Sequence, residues 1–253
     1  MTDKRSVQEQ FGAHARTYIT SRPHAKGASL QRLVELVEPQ PHWQALDIAT
    51  AAGHTAFAFA PHVAHVRATD ITPEMLTVAR EQAATRGIDN VTVEHADADN
   101  LPYADGQFDL LTCRIAPHHF PDVGAFLRES VRVLRAGGIL AVVDNVVPAG
   151  VAGDFVNAFE KLRDPSHGRC LSTEEWLEGY SQAGLELTKH EILEKQMVFE
   201  DWAARHDPVM QSYLLALLFH GPSETQEFLH PRSEDGRTLF HLQEGLFIGR
   251  KQD

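Results

Sequence analysis

Between Gln44 and Asn145, short apolar runs alternate with amphipathic stretches. Apolar runs of this length read as strands covered on both faces, and the 3.6-residue spacing between them reads as helices. The pattern predicts strands near 44–49, 65–70, 91–95, 108–114 and 138–144, joined by helices. Pro73 stands at a favoured first-turn position of the helix carrying Met75, Leu76 and Ala79. Val133 to Leu140 reads as a helix end, a glycine turn at Gly137-Gly138 and the start of the fifth strand. Upstream, about Ser6 to Glu38 reads as two helices broken near Arg22-Pro23, with Leu30, Leu33, Val34 and Val37 at helical spacing.

Past the break at Pro148-Ala149-Gly150 the simple alternation lapses. A helix with Phe155, Phe159 and Leu162 on one face leads into the polar loop 163–169. Thr173-Glu174-Glu175-Trp176 reads as a capped helix start and Ala183-Gly184 as its stop. Strands near 185–193 and 239–250 are expected to close the sheet as an antiparallel pair. Residues 200–230 are expected to form a helical cap, with Tyr213 to Phe219 filling its core. The chain divides accordingly into N-terminal helices (1–40), an alternating core (41–150) and a completing region with the cap (151–253).

The first strand ends in Leu46-Asp47-Ile48-Ala49-Thr50-Ala51-Ala52-Gly53-His54, and the second in Asp70. A strand, a loop of small residues, a helix, a strand and an acid about 20 residues past the loop form half of a nucleoside-binding doubly wound sheet, with the acid placed to take both ribose hydroxyls. A pyrophosphate needs glycines to clear its approach. Here Ala49 and Ala51 stand where glycines are expected, and Asp47 would push negative charge toward that anion. Both features speak against NAD or FAD. They suit S-adenosylmethionine, which lacks phosphate and carries an ammonium and a sulfonium. Asp47 is expected to face the ammonium, with Ala49 and Gly53 beside the methionyl chain. If Ala51 adopts a left-handed backbone, its Cβ costs roughly 1–2 kcal/mol.

Asp97-Ala98, after the third strand, suits the adenine amino group, and Phe108 to Arg114 reads as a buried fourth strand. Taken in order, these segments resemble the class I S-adenosylmethionine-dependent methyltransferases, in the small-molecule group that includes ubiquinone/menaquinone-biosynthesis enzymes. The resemblance spans about Leu30 to Pro148. It implies an α/β, Rossmann-like, doubly wound and mostly parallel sheet of seven strands with an antiparallel last strand, plus a helical cap. It also implies methyl transfer from S-adenosylmethionine to a small-molecule acceptor, with N-terminal helices folded over the cofactor. Tyr18, Ile71, Met75 and Arg114 join the cofactor set; His24 and Lys26 lie in the same helices as Tyr18.

Methyl transfer requires that the acceptor be held against the methyl, that water be excluded and that any acceptor proton be removed. His118 and His119, at the carboxyl edge of the fourth strand, are the candidate bases, with His119 closest to the acceptor. Asp144 and Asn145 end the fifth strand and are candidates for acceptor binding; Asp144 equally suits a turn cap. His167 and Arg169 are candidates to reach over the pocket, or else form a solvated turn. Two further readings use the same sheet: a protein that binds the nucleoside without transferring methyl, and an NAD(P)-dependent oxidoreductase.

Charge and composition narrow the partners. The 253-residue chain carries 23 Lys and Arg against 35 Asp and Glu, a net charge of −12, which repels phosphate backbones and argues against nucleic acid. Fifteen histidines invite a metal reading. Yet His62 and His65 lack a third ligand at suitable spacing, and adjacent His118 and His119 are expected to point apart, so no metal is expected. Cys113 and Cys170 make no metal pair and suit a reducing compartment. The polar start Thr2-Asp3-Lys4-Arg5 and the lack of an apolar run near 20 residues make the cytoplasm the expected location. A homodimer is a possible assembly.

Overall fold

The computed structural model describes residues 4–16 and 27–252. Its strands are β1 (Gln44–Ile48), β2 (His65–Asp70), β3 (Val91–His95), β4 (Phe108–Arg114), β5 (Leu134–Val146), β6 (Leu185–Val198), β7 (Arg232–Glu234) and β8 (Arg237–Lys251). They form one sheet in the order β3-β2-β1-β4-β5-β8-β6, with β7 paired to β8. β1 to β5 run parallel, and β8 is antiparallel to both its neighbours, β5 and β6. The expected sheet is present with one addition. β7, Arg232-Ser233-Glu234, is too short and too polar to have shown as an apolar run.

The helices are α1 (Lys4–His14), α2 (Ala28–Val37), α3 (His54–Phe59), α4 (Pro73–Arg86), α5 (Val123–Val133), α6 (Val151–Arg163), α7 (Thr173–Gln182), α8 (Phe199–Trp202), α9 (Pro208–His220) and α10 (Ser223–Leu229). Successive residues of a strand face opposite sides of the sheet, and the core divides accordingly. Ala45 and Leu110 pack with Leu33 and Val37 of α2 and with Phe57 and Phe59 of α3. Leu46 and Leu111 pack with Phe126 and Leu127 of α5 and with Trp176 and Tyr180 of α7. Both faces are covered, which is why these strands read as continuous apolar runs.

Two local readings change and a third gains detail. The glycine turn at 137–138 lies inside β5, not before it: pairing with β4 shifts register between Phe108 and Leu110, and Gly137 takes the left-handed backbone such an irregularity uses. α7 begins at Thr173 as expected, and the structure adds the identity of its cap, Ser172. Its hydroxyl accepts the Glu175 N–H, and the Glu175 carboxylate accepts the Ser172 N–H, a reciprocal box that satisfies two otherwise orphaned donors. The buried face of α6 is Gly153, Val156, Phe159 and Glu160, while Leu162 is 48% exposed, because the cap core meets the helix at Val156 and Phe159.

The cap forms its own apolar cluster of Phe159, Phe199, Trp202, Leu214, Leu218 and Phe240. Phe159 stacks on Trp202 with ring centroids 4.9 Å apart. The expectation that Tyr213 to Phe219 fills this core is corrected. Only Leu214 and Leu218, one turn apart, are buried in α9, and Tyr213 is 63% exposed, since the helix packs on one side only.

Candidate functional site

From β1 the sheet runs outward through β2 and β3 on one side and through β4 and β5 on the other. The loops leaving β1 and β4 therefore diverge and open a crevice at the carboxyl edge. A cavity of about 590 Å³ lies there, bounded by the loops after β1, β2, β3 and β4, by α1 and by the cap.

The loop after β1 takes left-handed backbone at alternate residues, with φ of 54° at Ala49, 47° at Ala51 and 88° at Gly53. For an alanine this conformation costs roughly 1–2 kcal/mol. Three backbone donors hold it: Ala51 N–H to Asp70 Oδ2 at 2.9 Å, Thr50 N–H to the Thr69 carbonyl at 2.8 Å, and Gly53 N–H to the Thr50 carbonyl at 2.8 Å. Ile115, after β4, is also left-handed at φ 53°, an unusual state for a β-branched residue, and it lines the same cavity. Strain gathered on one cavity persists because its surroundings over-determine it, a pattern found at binding sites.

Asp47 is not on the cavity wall. It is fully buried, and its two oxygens accept the hydroxyls of Thr50 at 2.5 Å and Thr112 at 2.6 Å. Burial pushes its carboxyl up to about 6, against the opposing pull of the Thr112 and Thr50 hydroxyls and Arg114. Asp47 thus ties the loop to β4 instead of facing an ammonium. Gly53 is likewise off the wall: a Cβ there would lie 2.4 Å from the Phe57 ring, so this glycine serves the loop–helix packing.

Asp70 lines the cavity, accepting Ala51 N–H on one oxygen and Thr72 N–H on the other at 2.9 Å each. Burial raises its carboxyl, with those backbone donors opposing. A carboxylate offers about four acceptor positions, so two remain for a pair of hydroxyls. The fit to a phosphate-free nucleoside is good: the Ala51 N–H that a phosphate would want is already given to Asp70. Ala49, Ile71, Met75, Asp97 and Ala98 also line the cavity. Over Asp97 sits Lys4 of α1, 2.6 Å from Asp97 and 2.8 Å from Asp99. Phe11 of α1 meets His119 edge-on at 4.9 Å. Sequence reasoning missed both α1 residues, since nothing local marks a helix that packs across the sheet edge. Tyr18, His24 and Lys26 lie outside the described residues.

Arg114 is buried on the wall, its guanidinium donating to Thr55 Oγ1 at 3.2 Å and Ser29 Oγ at 3.5 Å. Burial lowers its pKa, while Glu244 and Asp47 pull the other way.

His118 and His119 both line the cavity in the short turn after β4. Their ring centroids are 4.1 Å apart, so the expectation that adjacent histidines point apart is corrected: a tight 3₁₀ turn, not a strand, carries them. His118 Nδ1 lies 2.5 Å from Asp144 Oδ1. Burial disfavours the charged ring, but Asp144, with Glu160 and Asp164 adding, outweighs it and raises the pKa. His119 Nδ1–H donates to the Ser166 carbonyl at 2.9 Å, which leaves Nε2 with its lone pair. Burial, and then the charge on His118, hold His119 well below the ordinary value and therefore neutral.

Of the acceptor candidates, Asn145 and His167 are on the wall; Asp144 and Arg169 are not. Asp144 stands behind His118 as its partner. Arg169 turns outward to Glu175 at 2.7 Å, drawn by the carboxylate that caps α7. Arg169 touches the site through backbone only, Gly168 and Arg169 N–H both donating to the His118 carbonyl. His167 Nε2–H donates to Asn157 Oδ1 at 2.9 Å, and burial followed by the His118 charge lowers its pKa to about 3. Glu160, Arg163, Lys195, Trp202 and Arg205 complete the wall from the cap. No sequence motif marks them.

A family model described as a methyltransferase domain matches residues 46–142. The chain is 36% identical over 196 residues to the uncharacterized methyltransferase YcgJ of Bacillus subtilis (strain 168), covering 77% of this chain and 78% of that protein. The crystal structure of YcgJ superposes with a TM-score of 0.85 at 33% identity, covering 89% of this chain and 98% of the other. A 103-residue stretch is 38% identical to the ubiquinone/menaquinone biosynthesis C-methyltransferase UbiE of Brucella canis, 39% of this chain and 38% of that one. With this sheet order and this coverage of YcgJ, the chain belongs to the class I S-adenosylmethionine-dependent methyltransferases.

Proposed function

We propose that the protein transfers a methyl group from S-adenosylmethionine to a small molecule held between the sheet edge and the cap. The observation that carries this reading is the single cavity shared by Asp70, the strained loop, the two histidines and the cap. Bound there, the cofactor supplies an electrophilic methyl group on a sulfonium. Asp70 takes the ribose hydroxyls. Asp97 and Ala98 receive the adenine, which Ile71 and Met75 flank. Ala49, Thr50 and Arg114 face the methionyl end, and Asp47 and Gly53 act behind them by holding the loop.

His119 Nε2 is the proton acceptor. It is a weak base, yet it is free at neutral pH, and a hydroxyl or amine bonded to an incoming methyl becomes acidic enough to need little more. His118, whose pKa Asp144 raises, is the neighbour whose charged form holds the pKa of His119 down. Environments that push the pKa values of two adjacent groups apart are what assign acid and base roles. The cap supplies the walls that exclude water.

Calorimetry with S-adenosylhomocysteine tests the reading. The native chain should bind it, and Asp70→Ala should weaken binding roughly 100-fold, the loss of two hydrogen bonds to a charged group. Absence of binding to the native chain, or an undiminished affinity in the variant, would sink it.

A further inference from the structure

Three acceptor atoms on the cavity wall are buried with no donor among the described residues: Oδ1 of Asp99, whose other oxygen is paired with Lys4, and Oε1 of Glu160 on α6 and Oδ1 of Asn145 on β5. Glu160 is 7% exposed and, among the described residues, its carboxyl makes no hydrogen bond or ion pair. Burial raises its carboxyl; Arg163, His118 and Lys195 pull it down. An orphaned carboxyl in a protein interior is costly unless something else supplies the donor. Nothing in the folding of α6 requires it, since Val156 and Phe159 already carry the helix into the cap core.

The surroundings restrict what can supply that donor. Arg163, His118 and Lys195 act on the Glu160 carboxyl from α6, the β4 turn and β6, with Asp164 opposing them more weakly. They make the space unfavourable for an ammonium group. The carboxyl itself opposes a carboxylate or phosphate. Arg163 is further engaged over the Trp202 ring at 5.3 Å, and Lys195 with Glu244 at 2.8 Å. What remains is a neutral donor, and with the Asp99 carboxylate already held by Lys4, Glu160 Oε1 and Asn145 Oδ1 are the two acceptor atoms to satisfy. Phe120, Met197, Trp202 and Leu242 line the same cavity and offer contact for an apolar body.

We propose that the acceptor is a neutral compound with at least two hydroxyl groups on an apolar frame, selected by Glu160 and Asn145. This rests on the methyl-transfer reading and adds the substrate class to it. Glu160 is a specificity residue here: it binds one hydroxyl, while the other reaches Asn145.

Catechol, a neutral ring with two hydroxyls, is the probe, compared with anisole, which has no donor, and benzylamine, which is cationic. Each is titrated calorimetrically into protein saturated with S-adenosylhomocysteine. Catechol should bind at least about tenfold more tightly than either control. Glu160→Leu should erase that preference while leaving anisole binding unchanged, a readout that mere loosening of the cap would not produce. Glu160→Gln, of the same shape, should reduce it severalfold and decides the matter if the leucine variant does not fold. A native protein that binds catechol no better than anisole, or benzylamine best, overturns the proposal, as does an unchanged preference in the glutamine variant. Failure to bind S-adenosylhomocysteine removes the methyl-transfer reading as well; binding it without a catechol preference removes this proposal alone.

Discussion

The two walls of the cavity, one where we propose the cofactor and the other where we propose the acceptor, are assembled in different ways. The first comes from residues immediately past β1, β2, β3 and β4, each set by the strand before it. The second gathers Glu160, His167, Lys195 and Trp202 from α6, the loop after it, β6 and α8. The cofactor wall has its backbone strained at Ala49, Ala51 and Ile115, and the oxygens of Asp70 are bonded while Asp99 keeps one oxygen on Lys4 and the other unpartnered among the described residues. The acceptor wall has none of its described cap residues in a left-handed backbone, but it carries the unsatisfied Glu160. A rigid sheet edge can hold strain. A cap resting on one apolar cluster instead keeps side-chain chemistry open for whatever it binds.

The difference can be broken most severely at the cap. Trp202 is 5% exposed and packs against Phe159, Phe199 and Phe240. Trp202→Ala should cost about 3–5 kcal/mol in denaturant unfolding. Affinity for S-adenosylhomocysteine in the folded fraction should stay within about threefold, and a larger loss would mean the two walls are one unit. Gly53→Ala attacks the other side. The left-handed backbone and the Phe57 ring together should cost roughly 2–4 kcal/mol, and here the affinity should fall with the stability.

Asp47 gives a pH signature for the loop. Its folded pKa, about 6, lies above the ordinary 3.8, so between these values the native state holds a proton that the unfolded chain has released. Its contribution to stability therefore falls as pH rises, by about 2 kcal/mol between about pH 4 and pH 6. Asp47→Asn should flatten that part of the stability curve, as read from urea unfolding across the range. An unchanged slope would place the titration elsewhere. The smallest effect is expected from Ala51→Gly. Relief of the left-handed strain is offset by the greater freedom of glycine in the unfolded chain, leaving a net change below about 1 kcal/mol. A large destabilisation would show that the Ala51 methyl packs, and that the loop is less strained than its backbone angle implies.

The contrast also explains which residues could be read in advance. Asp70, Asp97 and Ala98 were legible because a strand end and a spacing identify them. Asp47 was legible as important but not in its role: the identity of an acid does not say whether two threonine hydroxyls, one of them 65 residues away, will already have taken its oxygens. His118 and His119 could be located at the sheet edge. The opposite shifts of their pKa values depend on burial and on Asp144, a distant partner invisible to local pattern, and the free Nε2 of His119 depends on Ser166. Of the two readings of Arg169, the outward one agrees with the structure, since Glu175 claims it.

By itself the amino-acid order determined the parallel core, the position of the loop and the absence of glycines where a phosphate would need them. These follow from nearest-neighbour chemistry: strand burial, helix periodicity and the steric demand of a Cβ. Only the tertiary structure decided that Ala49 and Ala51 accept the left-handed backbone, that the two histidines shift their pKa values in opposite directions, and that Glu160 Oε1 meets no donor among the described residues. Each of those outcomes depends on groups brought together across the sheet edge or from the cap, where burial and a single distant partner outweigh anything the local sequence prefers.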